Sequence, residues 1–366
     1  MSDDTRVATA PEEVRHTSGS RATVSVIIKA LNEEQGIAAS IRSALRALEP
    51  FKGEVILADS GSSDRTIAIA EGFPVTIVQL ADTAERCCGI GPQLGYQFAR
   101  GQYVYILDGD MELNAAFLLA GVHALERDAR LGGVAGIVTQ QADASYQFRG
   151  LARRRIESCS GDVQWLDMGG LYRQTALEQV GYFSNRNLHA FEEMELGLRL
   201  SSAGWQLRRL AIASVQHRGY DLNSFALLKR RWQSGYLLGA GELLKASWGQ
   251  PYLMTAVRSQ KFLLIALLIW LGFFASLLAL PMSAWPLAGI ASVVVALIAL
   301  RACRIRSLKD ALIGQAVWQV HALALVRGFL RPMKDPKEPV AARLLKVAAP
   351  DKLSVCNGPA RGQAAQ

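Results

Sequence analysis

Four short apolar runs, each ending in polar loop residues, open the patterned part of the chain. VSVIIKA (24–30), EVILADS (54–60), VTIVQL (75–80) and QYVYIL (102–107) are too continuously apolar for strands with one wet face, so they predict strands buried on both sides of a sheet. Between them the apolar spacing lengthens to a helical period. NEEQGIAASIRSALRAL follows the first strand with Asn32 as predicted cap, SSDRTIAIAE follows the second with Ser63 or Asp64 as cap, and PQLGYQFARG precedes the fourth. Alternating strands and helices predict an α/β fold, a mostly parallel sheet flanked by helices. Such sheets bind ligands at the carboxyl ends of their strands, where Asn32, Asp59 and Asp108 all fall, so one crevice can collect them.

After residue 260 the pattern changes. FLLIALLIWLGFFASLLAL (262–280) has no charge and makes a helix of about 28 Å, against a hydrocarbon core of roughly 30 Å. PMSAWP interrupts, and LAGIASVVVALIAL (287–300) follows, extendable through Trp285. Runs of this length point to a transmembrane hairpin rather than to a hairpin buried in a soluble core. ALIGQAVWQVHALALVRGFL (311–330) carries Gln315, Gln319, His321 and Arg327, which predicts an amphipathic helix lying in or re-entering the interface instead of a third span. The first twenty residues lack an apolar core and read as a polar tail, not a signal peptide.

Charge refines this picture. The 366 residues include 40 Lys and Arg against 32 Asp and Glu, a net charge of +8 that suits either nucleic acid or a membrane surface. Twelve basic and three acidic residues lie between Arg258 and Lys346, so the whole excess flanks the apolar tail and favours the membrane over nucleic acid. Lys261 precedes the first span, and Arg301, Arg304, Arg306 and Lys309 follow the second, which predicts an inner-membrane protein with two spans and its body in the cytoplasm. The expected organisation is a polar tail (1–21), a catalytic α/β domain (22–245), a linker (246–260), the hairpin (261–300), a basic amphipathic membrane-surface segment (301–346) and a flexible tail (347–366). Five cysteines without CxxC or Cys/His ligand spacing suit a reducing compartment and no zinc.

Two acidic clusters carry the candidate chemistry. In YVYILDGDMEL (103–113) a buried strand runs into Asp108 and Asp110, separated by one glycine. A solvated turn explains this arrangement, and so does a divalent cation with an anion on its far side. In HAFEEMELGLRL (189–200) Glu192 and Glu193 come just before a helix, where they favour its dipole or stand ready as a general base, while Glu195 on its first turn reads as a dipole-favouring or solvent-facing residue.

In this order and roughly this spacing, VSVIIKALNEE, VILADSGSSDRT, YILDGD, GGLYR, FEEMELGLRL and RRW resemble the family 2 glycosyltransferases over about residues 22 to 245. The resemblance implies a GT-A fold, with the hairpin as in membrane-bound members. It implies a loop of Ala30, Leu31, Asn32 and Glu33 under the nucleoside and Asp59 accepting a hydrogen bond from the base; read alone, Asp59 serves equally as a turn residue. It makes Asp108 and Asp110 a DxD motif, with Asp110 on Mg2+ or Mn2+ and Asp108 near the ribose, and His217 a residue that completes the metal or pyrophosphate site. It makes Glu192 and Glu193 the ED pair, Glu193 being the general base. Gly169 and Gly170 would let the backbone pass close to the sugar, or form a plain tight turn. Arg231 and Trp232 would hold the pyrophosphate and line the acceptor site, or Trp232 would anchor a helix at the bilayer surface.

The chain departs from the family at three places. Glutamate stands at 193 where aspartate is usual, and Pro92 and Gln93 occupy the helix that often supplies arginine and asparagine; Arg86 is a candidate replacement. Leu228 stands where processive synthases carry the glutamine of QxxRW. The implied function is metal-dependent, inverting transfer of a hexose from a nucleotide-diphospho-sugar, a UDP-sugar by the loop residues, to a lipid-linked saccharide or polyprenyl phosphate in cell-surface or exopolysaccharide synthesis. A processive polysaccharide synthase and a non-catalytic nucleotide-binding membrane scaffold are the alternatives.

Overall fold

The structure is a computed structural model that describes residues 24–140, 160–167, 169–217 and 224–348. The expected polar N-terminal tail, and the flexible tail from residue 349 onward, lie outside the described residues. The chain divides into two compact units.

The first unit holds residues 1–186, 192–222 and 334–366. Its frame is four parallel strands in the order β3 (Thr76–Leu80), β2 (Gly53–Asp59), β1 (Val24–Ala30), β4 (Tyr103–Asp108). Register is set in the middle of β1, where Ile27 faces Ile56 on one side and Ile106 on the other. Successive side chains of β1 go to opposite faces. Val24, Val26, Ile28 and Ala30 enter a core covered by α1 (Ile37–Ala47), α2 (Thr66–Ala70) and residues of α4 (Ala115–Arg127), while Ile27 joins Ile90 and Leu94 of α3 (Ile90–Tyr96) on the other face. Continuous apolar strands are what two buried faces require.

The sheet becomes mixed at both flanks. β8 (Leu171–Arg173) runs antiparallel beside β4, followed by β6 (Leu131–Gln140), β9 (Gln206–His217) and β5 (Met111–Leu113), while β7 (Gly161–Val163) pairs with β9. α5 (Gln174–Gln179) and α6 (Glu192–Ser202) complete the unit. At the opposite edge β10 (Ala342–Lys346) pairs antiparallel with β3. This corrects the expected membrane-surface segment 301–346: its last residues are a sheet strand. Val340 donates to Gln97 Oε1 at 2.6 Å and accepts from Gln97 Nε2 at 3.0 Å, and Lys334 Nζ reaches Glu85 Oε1 at 2.7 Å. A pairing between residues some 260 apart leaves no local sequence signal.

α1 also begins later than the pattern predicts. Its cap is Gly36, not Asn32, because Asn32 sits in a left-handed conformation (φ 57°) and gives its side chain to the neighbouring loop.

The second unit holds residues 187–191 and 223–333. The boundary expected at residue 245 therefore falls near 222, since α7 (Ser224–Gln233) and α8 (Gly239–Ala246) belong with the tail helices. α9 (Leu253–Ser259), α10 (Lys261–Ala279), α11 (Trp285–Ile305) and α12 (Leu308–Leu330) follow. α10 and α11 are each long and apolar enough to cross a membrane. α12 joins them through Trp318, whose ring stacks on Phe262 of α10 and lies under the Arg301 guanidinium of α11 at 4.9 Å. Fully buried Glu242 of α8 accepts from the His189 backbone and its ring Nδ1, both at 2.9 Å, while Arg331 donates to Nε2 at 3.2 Å. Arginine can only donate, so the His189 proton sits on Nδ1.

Candidate active site

The loops leaving β1 and β2 are stitched together by side chains of short polar residues. Asn32 Oδ1 accepts from Ser63 N at 2.8 Å, Ser62 Oγ accepts from Asn32 N at 2.8 Å, and Thr66 Oγ1 accepts from Glu33 N at 2.8 Å. Asp59 is fully buried beneath this seam. Its Oδ2 accepts from Gly61 N (2.8 Å), Ser62 N (2.9 Å) and Gln79 Nε2 (3.0 Å), and its Oδ1 accepts from Ser62 Oγ (2.5 Å). The turn role of Asp59 is thus realised, and its carboxylate presents no surface to a ligand. Above it Leu31 is 40% exposed, while Ala30 is buried. Arg86 donates from Nε to the Ser60 carbonyl at 2.7 Å and from Nη2 to that of Gly61, so it braces the same loop.

The Asp108–Asp110 turn closes against this seam. Gly109 N donates to the Lys29 carbonyl at 2.9 Å, and a Cβ at Gly109 would stand 2.9 Å from Glu33 Cγ, so the close approach needs glycine. Two side-chain pairings follow from sheet register. Lys29 is opposite Asp108 across β1 and β4, and its Nζ lies 3.2 Å from Asp108 Oδ1. Met111 is opposite His217 across β5 and β9, which sets the adjacent Asp110 Oδ2 at 3.1 Å from His217 Nε2. The hydrogen bond to Asp110 raises the His217 pKa, outweighing burial. Its other nitrogen, Nδ1, is buried without a hydrogen-bond partner.

The second acidic cluster enters from α6. Phe191, immediately before it, holds a left-handed backbone (φ 68°), a strained conformation for a bulky residue and one found where a functional segment is over-determined by its surroundings. Glu192 is buried with its Oε1 3.5 Å from Lys29 Nζ. Burial alone would lower the Lys29 pKa, but Asp108 and then Glu192 and Glu193 outweigh it and hold the ammonium well above its ordinary value. Glu193 is partly exposed at the crevice. Burial around its carboxyl and the Glu192 charge push it up to about 8, with Lys29 opposing them. The structure thus draws Asp108, Glu192 and Glu193 around Lys29, and pairs Asp110 with His217.

Other predicted residues have different partners. A Cβ on Gly169 (φ 82°) would meet Tyr105 Oη at 2.8 Å, and one on Gly170 the Tyr172 ring at 2.7 Å, so a tight turn against two buried tyrosines accounts for both. Gln93 Oε1 accepts from Phe183 N and Ser184 N, both at 3.0 Å. Arg231 and Trp232 belong to the second unit, where Arg231 lies 5.0 Å over the Tyr236 ring and Trp232 is 41% exposed.

Sequence reasoning missed Lys29 and misjudged Glu195. A lysine inside an apolar strand is itself the signal, because such residues are rarely buried unless paired. Glu195 is fully buried, accepts from Arg199 Nε at 2.9 Å and from Tyr182 Oη at 2.6 Å, and holds Arg199 beneath the Tyr182 ring. Its role is structural. Glu195→Gln is expected to remove about 3 kcal/mol of stability by leaving Arg199 without its countercharge, seen as a lower melting temperature than Glu193→Gln gives.

A family model described as "Glycosyl transferase family 2" matches residues 25–177, and one described as "Glycosyl transferase family group 2" matches residues 103–305. No curated protein matches the chain. Among solved structures, the mannosyltransferase PcManGT of Pyrobaculum calidifontis, in complex with GDP-Man and Mn2+, is similar with TM-score 0.55 and 19% identity, over 85% of this chain and 88% of that one. S. aureus TarS 1–349 in complex with UDP-GlcNAc gives TM-score 0.49 and 15% identity over 84% and 92%. A longer TarS structure, matched at TM-score 0.44 and 16% identity over 62% of this chain, is spanned over only 44% of its length. With more than half of its residues inside one family model and a sheet shared with the mannosyltransferase, the chain belongs to the family 2 glycosyltransferases and has a GT-A-like fold.

Proposed function

We propose that the protein transfers a sugar, with inversion, from a nucleotide-diphospho-sugar to an acceptor at the cytoplasmic face of a membrane, in the synthesis of a cell-surface saccharide. The carrying observation is the convergence on Lys29 of a donor-side carboxylate, Asp108, and an acceptor-side pair, Glu192 and Glu193. One unpaired carboxylate suits a single displacement, because no second nucleophile is needed when the acceptor itself attacks the sugar. The stitched loop of Ala30, Leu31, Asn32 and Glu33 would carry the nucleoside, with Asp59 holding the loop in shape from beneath.

A divalent cation, Mg2+ or Mn2+, fits the Asp110–His217 pair. The two groups now share a proton that a cation would displace, and the orphaned His217 Nδ1 marks a ring whose hydrogen bonding is incomplete. Among the described residues no three carboxylate, histidine or cysteine groups form a closed cage. An open set of one or two side chains is what such ions use when substrate phosphates supply the remaining oxygens. Bound there, the cation would neutralise charge developing on the diphosphate leaving group. Asp110 and His217 would orient it, Asp108 would stay paired with Lys29 beside the donor, and Glu193 would take the acceptor proton.

The two apolar helices α10 and α11, with the basic run of Arg301, Arg304, Arg306 and Lys309 at the far end of α11, support a membrane-attached acceptor such as a lipid-linked saccharide or a polyprenyl phosphate. The two acceptors make different demands on Glu193. A saccharide hydroxyl must lose a proton as it attacks, whereas a phosphate oxygen already carries charge.

Asp110→Asn keeps the shape of the turn and removes a charge, so the thermal shift that Mn2+ gives with a nucleoside diphosphate should disappear; an unchanged shift places the cation elsewhere. Glu193→Gln should lower the turnover number by about 10² to 10⁴ with donor affinity nearly intact, the range expected for a general base. Because a base works deprotonated and burial raises its pKa, kcat/KM should climb with pH through the neutral range in the wild type and lose that limb in Glu193→Gln. Wild-type turnover that survives both Glu192→Gln and Glu193→Gln removes the base from this motif, and the absence of any transfer or donor hydrolysis in the wild type would favour a nucleotide-binding scaffold. For the membrane, a reporter fused after Asp310 should read cytoplasm and one between Pro281 and Trp285 the outside; full-length protein extracted by carbonate would refute the hairpin.

A further inference from the structure

Four carboxylates meet in the crevice, and among the described residues they divide one ammonium and one imidazole between them. Asp110 has His217 at 3.1 Å. Asp108 and Glu192 share Lys29, at 3.2 Å and 3.5 Å from its Nζ. Glu193 has neither an ion pair nor a side-chain hydrogen bond among the described residues. This distribution is built into the backbone. Register across β1 and β4 points Lys29 and Asp108 to the same face of the sheet, and α3 packs close on the Lys29 stem, where a Cβ on Gly91 would lie 3.2 Å from Lys29 Cβ. α3 thus lies against the base of the stem, and the side chain keeps only 18% of its surface exposed. Glu192 is likewise enclosed, as the first residue of α6 with its side chain 8% exposed.

Two adjacent glutamates are chemically equivalent until something distinguishes them. We propose that Lys29 is the positioning residue that distinguishes them: by holding Glu192 in an ion pair it leaves Glu193 as the free base, and by also holding Asp108 it fixes the acceptor side against the donor side. The inference rests on the glycosyl-transfer reading above and extends it to a residue to which the family resemblance assigns no role. Lys29 touches neither the transferred sugar nor the proton in this scheme; it acts through Glu192 and Asp108. Its loss would leave two like-charged neighbours free to change rotamer, and a base displaced by about 1 Å typically costs on the order of 10²-fold in rate.

The test is a double-mutant cycle on the full-length protein in lipid nanodiscs, with Lys29→Met, Glu192→Gln, the double variant, and Lys29→Arg as the charge-conserving check. Lys29→Met should lower kcat by roughly 10- to 100-fold with donor KM changed less than about threefold, and Lys29→Arg should recover part of the loss. The Mn2+ thermal shift should persist in Lys29→Met, because Asp110 and His217 are untouched. The losses of Lys29→Met and Glu192→Gln should be non-additive, the double variant falling no lower than Lys29→Met alone. The same cycle is read in melting temperature, which reports the ion pair whether or not a donor turns over; Lys29→Arg serves there should Lys29→Met fold poorly. Additive effects in both readouts overturn the proposal. So does a loss confined to donor KM with the Mn2+ shift gone, which would make Lys29 a donor-binding group. A wild type that turns over no nucleotide sugar sinks the functional reading instead, and the melting cycle still decides the pairing.

Discussion

Like charges gathered at one edge of a buried sheet repel one another, and much of the first unit's construction answers that constraint. Asp108, Asp110, Glu192 and Glu193 come from the end of β4 and the start of α6, and water cannot fully solvate them there. Removing water from a charge costs several kcal/mol unless a partner of opposite sign replaces it. The answer is one lysine in the central strand, placed by register opposite Asp108, and one histidine at the end of β9, placed by register opposite Met111. Sheet geometry therefore decides the electrostatics. A one-residue slip of β4 against β1 would move Asp108 to the other face of the sheet and leave Lys29 buried without its nearest countercharge.

The loops show a second economy. The side chains of Asp59, Asn32, Ser62 and Thr66 accept from backbone N–H groups of the two loops, so the seam between the β1 and β2 loops is shaped before any ligand arrives. Preorganisation of this kind lowers the ordering cost of binding. It also changes how Asp59 should be read. Asp59 makes four hydrogen bonds inside the protein, so its removal would deform the loop as well as cost any direct contact.

Much of this was legible in the sequence, and the exceptions have physical reasons. Strands β1 to β4 fall within a residue or two of their predicted bounds because two buried faces force continuous apolar runs. The Asp110–His217 pairing was legible only through family resemblance; β5 has three residues, and no local pattern announces that it meets the end of β9. Long-range contacts hid the rest. β10 rejoins the sheet after the whole helical unit, and Glu195, two residues beyond Glu193 in the same acidic helix start, is set apart by Tyr182 and Arg199 packing over it. Asn32 looked like a cap because Asx residues favour helix starts, yet the same short side chain tolerates a left-handed backbone, and here that second property prevails.

Glutamate in place of aspartate at 193 fits this electrostatic frame. The extra methylene carries the carboxylate further from the helix backbone, and Glu192 beside it is already tied to Lys29. A base is useful when its pKa lies close to the working pH, high enough to pull a proton and low enough to be unprotonated when the acceptor arrives. Burial and a charged neighbour push Glu193 up to about 8, while Lys29 restrains the rise. The ammonium thus serves opposite ends at once: it compensates the charge that Glu192 cannot shed, and it keeps Glu193 from climbing so far that it would stay protonated. A neutral side chain at position 29 would relax both constraints together, which is why a buried lysine, costly to desolvate, is placed in an interior strand of the sheet.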